Sequence, residues 1–183
     1  MYKGNHKKGE IEITKENIVF SNKYARLYND DVIFPSGEKG LYLRFEWTAP
    51  YGVVLFPRNK SGDILLIRNF RHENRSWSWE VPKGFGEIEL SPKECAKKEL
   101  MEETGYRGEH WELVKKIPNG KSFTYIFSTI VEGSPSLSNK EDGEAISGIE
   151  FFNKNEMVSL LSDDSIIDPI TMYFISSTLL MNK

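Results

Sequence analysis

Lys98-Glu99-Leu100-Met101-Glu102-Glu103-Thr104-Gly105-Tyr106 is the stretch on which the reading of this chain turns. An α-helix advances about 100° per residue, so Glu99, Glu102 and Glu103 project within one arc about a third of a turn wide. Three carboxylates that close repel one another unless a positive charge sits among them. A hard divalent cation such as Mg²⁺, which prefers carboxylate oxygens and keeps several waters, meets that need. The ordinary alternative is an acidic run on a solvated face, because Glu is a strong helix former.

The residues upstream weigh against that alternative. Trp79-Glu80-Val81-Pro82-Lys83-Gly84-Phe85-Gly86-Glu87 leads into Ser91-Pro92-Lys93-Glu94. Ser91 suits an N-cap, Pro92 the first helical position, and Glu94 completes a Ser-x-x-Glu capping box. The helix is expected from about Pro92 to Thr104, with Gly105 as its stop. A strand, a glycine-bearing loop and an acidic helix therefore follow in order.

This arrangement resembles the Nudix hydrolases, whose motif is Gly-x5-Glu-x7-Arg-Glu-U-x-Glu-Glu-x-Gly-U, with U bulky and apolar. Aligned on Gly84, the chain supplies Glu99, Leu100, Glu102, Glu103, Gly105 and Tyr106 at the required spacings. Two positions depart: Leu90 stands where the first Glu is expected and Lys98 where the Arg is. The family Arg orients the catalytic Glu, and Lys offers a point charge in place of a planar fork. Glu87 or Glu89 is placed to take over the role of the missing Glu.

Composition agrees with this without demanding it. The chain has 183 residues and 39% hydrophobic content, enough for a core and most simply one domain with an N-terminal extension. Its formal charge of −3, from 24 basic and 27 acidic residues, speaks against a nucleic-acid partner. Cys95 is the only cysteine, which excludes an internal disulfide and zinc-finger chemistry and suggests a buried structural thiol. The polar, basic start and the lack of any long apolar run lead to the expectation of a cytoplasmic protein with no membrane partner.

Along the chain, strands are expected at Ile11–Phe20, Ala25–Phe34 and Gly40–Trp47. A hairpin of Gly52–Phe56 with Ile64–Phe70 follows, its apolar runs suited to burial on both faces. Further strands are expected at 77–81, 111–117, 122–131 and 146–152, and two more helices at about 155–161 and 169–180. The expected class is α/β (α+β), a mixed sheet sandwiched between helices with a small N-terminal antiparallel sheet. The division is 1–47 for the extension and 48–183 for the Nudix domain.

The N-terminal strands and the Trp77-Ser78-Trp79-Glu80-Val81-Pro82 run resemble the ADP-ribose pyrophosphatase subgroup, over roughly residues 17–152. That resemblance implies a homodimer built on the extension. It also implies cleavage of a nucleoside diphosphate linked to a sugar, with ADP-ribose leading and AMP and ribose 5-phosphate as products. Glu99, Glu102, Glu103 and the backbone carbonyl of Lys83 are the implied ligands of Mg²⁺, or of Mn²⁺, which accepts the same oxygens. Glu99, Glu103 and a loop base, Glu144 with Glu141 as second choice, are the implied catalytic groups. Arg44, Arg68 and Arg71 suit phosphate oxygens, and Trp47 suits stacking on a base. His72 and His110 lack metal-ligand spacing. Two other readings stay open: a nucleoside triphosphate or decapping hydrolase, and a catalytically weak Nudix-like ligand sensor.

Overall fold

The computed structural model describes residues 1–135, 145–163, 165–166 and 168–181. The chain divides into two compact units, Met1–Pro50 with Pro118–Ser122, and Tyr51–Ile117 with Phe123–Lys183.

In the first unit a four-stranded antiparallel sheet is built around β3 (Ala25–Ile33). β1 (Glu12–Lys15) and β2 (Ile18–Ser21) pair with β3, and β4 (Lys39–Trp47) pairs with it along its whole length, from Ala25↔Trp47 to Ile33↔Lys39. The expected strand Ile11–Phe20 is thus two strands. The break falls at Asn17, whose side chain donates to the Asn29 carbonyl and whose N–H donates to Asp30, so the chain is tied to β3 between two separate registers.

The second unit holds a seven-stranded mixed sheet in the order β11-β6-β5-β10-β9. These strands are β11 (Ile146–Phe152), β6 (Ile64–Arg71), β5 (Gly52–Arg58), β10 (Ser122–Val131) and β9 (Gly108–Asn119). β7 (Ser76–Glu80) pairs with β6, and β8 (Lys83–Phe85) pairs with β5. The expected β5/β6 hairpin shrinks to a single pair, Arg58↔Ile64. The reason is competition for one edge: β8 occupies it at Gly52–Val54, and Leu55 donates to the Pro82 carbonyl. The opposite edge of β5 is taken by β10, in parallel.

Burial of β5 and β6 on both faces is seen directly, since Leu55, Ile64, Leu65, Leu66 and Ile67 are all 0% exposed. Val54, Phe56, Ile64 and Leu66 pack with residues of α2 (Lys154–Ser162) and α3 (Pro169–Met181). Val53, Leu55, Leu65 and Phe127 pack with Cys95, Ala96 and Leu100 of α1 (Pro92–Thr104). Each buried Val, Leu, Ile or Phe among them contributes about 1.5–3 kcal/mol. The sheet is therefore sandwiched between helices, as α/β patterning implies. Among the described residues no helix is long and apolar enough to cross a membrane.

Candidate active site

The acidic helix is set by its ends. Ser91 and Glu94 form the reciprocal capping box, Pro92 opens the helix, and Gly105 closes it at φ 71° with its N–H on the Met101 carbonyl. A left-handed residue at that point favours glycine. Cys95, Ala96 and Leu100 face the core, which leaves Glu99 and Glu102 partly exposed on the other side, while Glu103 is only 3% exposed.

The three glutamates are held by different neighbours. A side chain on Gly84 would collide with the Glu99 carboxylate, so the glycine lets that carboxylate lie against the loop backbone. Glu103 accepts the Lys83 N–H over 2.9 Å. Glu102 lies 3.4 Å from the Lys98 ammonium. Among the described residues no three His, Cys, Asp or Glu side chains converge as a ready-made metal centre. The donor set nonetheless suits a hard cation, because it is all oxygen and because the bare Gly84 brings a helix carboxylate and a loop together.

The two departures from the motif have a local account. Leu90 turns inward onto the α1 core cluster, and its carbonyl accepts from Tyr51 Oη. The Lys98 ammonium instead meets Glu87 at 2.6 Å while also reaching Glu102, and the bond to Glu87 raises it above its ordinary value. Of the two neighbouring acids, Glu87 is the one bonded to Lys98.

Next to Glu103 lies a charged network of which sequence reasoning singled out Arg71 and Lys83 but not Glu80, Asp168 or Thr171. Glu80, at the end of β7 and 1% exposed, is gripped by Arg71 through Nε at 2.9 and 3.0 Å and through a terminal guanidinium nitrogen. The Lys83 ammonium reaches Glu80 at 2.9 Å and Asp168 at 2.6 Å. Asp168 accepts from both the N–H and the hydroxyl of Thr171, and Thr171 Oγ1 accepts the Val81 N–H at 3.0 Å. Burial pushes the Asp168 carboxyl up, but the Lys83 ammonium and the Thr171 donors outweigh it and hold the carboxyl below its ordinary value. Arg71 is raised, first by its bond to Glu80 and then, against burial, by the nearby charges of Glu80, Asp168 and Glu103. Arg71 is thereby placed beside the acidic helix. Glu80 was visible in the Trp-x-Trp-Glu-Val-Pro run, and Asp168 in the Asp-Pro that starts α3.

The remaining expected residues separate. Arg68 is exposed, its guanidinium 5.7 Å from the Trp77 ring. Arg44, in the N-terminal unit, bonds Asp30 at 2.8 Å and Glu46 at 3.3 Å, lies 3.7 Å from Glu16 and stacks 3.8 Å over Tyr28. That setting gives it the character of an ion-pair hub. Trp47 is 45% exposed and lines a cavity of about 310 Å³ in the same unit with Phe45, Glu46 and Lys121. Trp79 belongs to the core side, edge-on to Phe152 at 4.8 Å. Cys95 is fully buried, and burial pushes its thiol up to about 11. Glu141 and Glu144 lie outside the described residues.

With this geometry in view, comparison with known proteins is direct. The NUDIX domain family matches residues 48–174. The methanol dehydrogenase activator of Bacillus methanolicus is 26% identical over 159 residues, covering 86% of this chain and 82% of that protein. The ADP-ribose pyrophosphatase of Bacillus subtilis is 35% identical over 97 residues, 53% of this chain and 51% of its own. The ADP-sugar pyrophosphatase of Mus musculus is 27% identical over 110 residues, 55% and 50% of the two chains. The chain thus spans about half the length of these two pyrophosphatases. A crystal structure described as an ADP compounds hydrolase superposes with a TM-score of 0.71 at 21% identity, covering 94% of this chain and 95% of that one. At that identity the likeness is one of fold.

Proposed function

Because the chain belongs to the NUDIX domain family of pyrophosphate-bond hydrolases, we propose that it cleaves the diphosphate of a nucleoside diphosphate linked to a sugar, with ADP-ribose the leading substrate. The observation that carries this reading is the meeting of the acidic helix with the glycine loop, where Glu103 accepts the Lys83 N–H and the Glu99 carboxylate lies against Gly84. Arg71, fixed by Glu80 and within electrostatic reach of Glu103, is our candidate for a diphosphate oxygen.

Divalent ions are used generally in this family, and we assign Mg²⁺ here. Glu99, Glu102, Glu103 and the Lys83 carbonyl would hold it, and when bound it supplies charge neutralisation on phosphate oxygens and a more acidic water. Glu103 is oriented for this by the Lys83 N–H, and Glu99 by the open face of Gly84. Lys98 steadies Glu102 through the charge it shares with Glu87. A loop acid, Glu144 ahead of Glu141, remains our candidate for taking the proton of the attacking water.

Trp47, an exposed flat ring, is our candidate for stacking on the base, with little preference for its identity. The alternating Leu41, Leu43, Phe45 and Trp47, exposed by 45–63%, support a homodimer through the N-terminal sheet. Residues 1–47 would then serve association and base binding, and residues 48–183 the chemistry.

The test is a product screen of ADP-ribose, sugar nucleotides, dinucleoside polyphosphates and dNTPs, with and without Mg²⁺. AMP and ribose 5-phosphate from ADP-ribose, only with the metal, is the expected result. Turnover confined to dNTPs would overturn the substrate class, and binding without turnover would favour a sensor.

A further inference from the structure

At the opposite end of β5 from the glycine loop, the second unit encloses a cavity of about 680 Å³ between the sheet and α3. Val54 pairs with Lys83 at the loop, and Arg58 lies four residues further on, roughly 13 Å at 3.3 Å per residue. The volume falls within the range of small-molecule sites.

Its lining sets aromatic and aliphatic side chains among polar ones, with Lys60 and Lys115 present besides Arg58. Phe56 and Phe174, 3% and 6% exposed, stack with their rings 11° apart, and Ile126 lines the floor beside them. Into this apolar setting β5 delivers one cation, Arg58, whose guanidinium carbon sits 5.2 Å from the Phe174 ring centroid. Its Nε is buried and has no hydrogen-bond partner. Arg44 and Arg71 are bonded to carboxylates, whereas among the described residues no carboxylate is bonded to Arg58. Burial alone acts on it and pulls it below its ordinary value. A buried donor without an acceptor calls for an explanation, and the terminal nitrogens of the same guanidinium are the part that a ligand in the cavity would reach. At the rim His110 holds φ 51°, a left-handed conformation uncommon outside glycine and frequent at ligand sites.

We propose that this cavity is a second ligand site, distinct from the acidic helix, and that it takes a small planar ring bearing a single carboxylate. The ring would lie against Phe174 and Tyr173, and the carboxylate would accept from Arg58. One anionic group is specified because, among the described residues, Arg58 is the lining cation that carries a buried donor without an acceptor.

The test uses the full chain and 2-naphthoate as probe, titrated calorimetrically beside its neutral counterpart 2-naphthamide and beside AMP. Saturable binding of 2-naphthoate is expected, with the amide weaker by about tenfold or more, as for loss of a charge-assisted pair. Arg58→Gln should weaken 2-naphthoate to a similar extent and leave the amide unchanged, and Arg58→Lys should retain part of the affinity. The Arg58→Gln protein should stay folded, since the charge it loses bonds no carboxylate among the described residues and gives up only its contact with the Phe174 ring. If that variant does not fold, the naphthoate-to-naphthamide ratio on the parent protein decides. Equal affinities, or the absence of saturable naphthoate binding, would overturn the site. AMP bound in preference at Arg58 would overturn the carboxylate assignment.

Discussion

The Lys83 ammonium lies 2.6 Å from Asp168, so the residue before the motif glycine is moored to the start of the last helix. Through its backbone N–H the same lysine also holds Glu103. The glycine loop, the acidic helix and α3 are therefore mechanically linked at one residue.

The first expected consequence concerns acid stability. Asp168 is held below its ordinary value, so its contribution is fully present above the unfolded carboxyl pKa of about 3.9 and is lost as pH falls through the lower folded value. Thermal midpoints between pH 2 and 7 should show the parent losing stability below about pH 4 more steeply than Asp168→Asn. At neutral pH the variant should be less stable by about 1–3 kcal/mol. A parallel pair of pH curves would refute the assignment.

Glu103→Gln should keep its fold and lose turnover by on the order of 100-fold or more, because a metal-binding charge is replaced by a neutral group that still accepts from Lys83. Steady-state rates at saturating Mg²⁺, with circular dichroism as the fold check, decide it. Undiminished kcat removes Glu103 from the ligand set.

Gly84→Ala separates site from scaffold. The atoms the added methyl meets first belong to the flexible end of Glu99, so the carboxylate is the part expected to shift. A fall in kcat of about tenfold or more with a stability change under about 1 kcal/mol is expected. A large stability loss would show that the loop, and not the carboxylate, gave way.

Cys95 should be inert in the folded protein. With the thiol pushed up to about 11, roughly one molecule in a thousand carries thiolate at pH 8, and the sulfur is fully buried. Ellman's reagent should report no free thiol natively and one equivalent in guanidinium; rapid native labelling would contradict the packing of α1.

How much of this was written in the sequence depended on the distance over which each feature is decided. The bounds of α1 were legible because Ser91, Pro92, Glu94 and Gly105 act within a turn of where they stand. The burial of β5 and β6 was legible from their unbroken apolar runs. Their pairing was not, since Lys83–Phe85, a three-residue strand with no periodicity to detect, takes the edge the hairpin would have used. The acidic triplet was legible as a motif, whereas Glu80, Asp168 and Thr171 joined the site only through long-range folding, as in the bond from Val81 to Thr171. Arg44 suited a phosphate on strand position alone; Glu46, two residues on and on the same face, was in view, but nothing local announced that Asp30 of β3 would bond it.

The parallel register of Gly52 with Thr124 bears on how the protein is made. While it emerges from the ribosome, β5 has no parallel neighbour until β10 has been synthesised, and such non-local pairing is slow to form. β8 and α1, made earlier, can cover one edge and one face of β5, so the step that waits for β10 is the closing of its second edge.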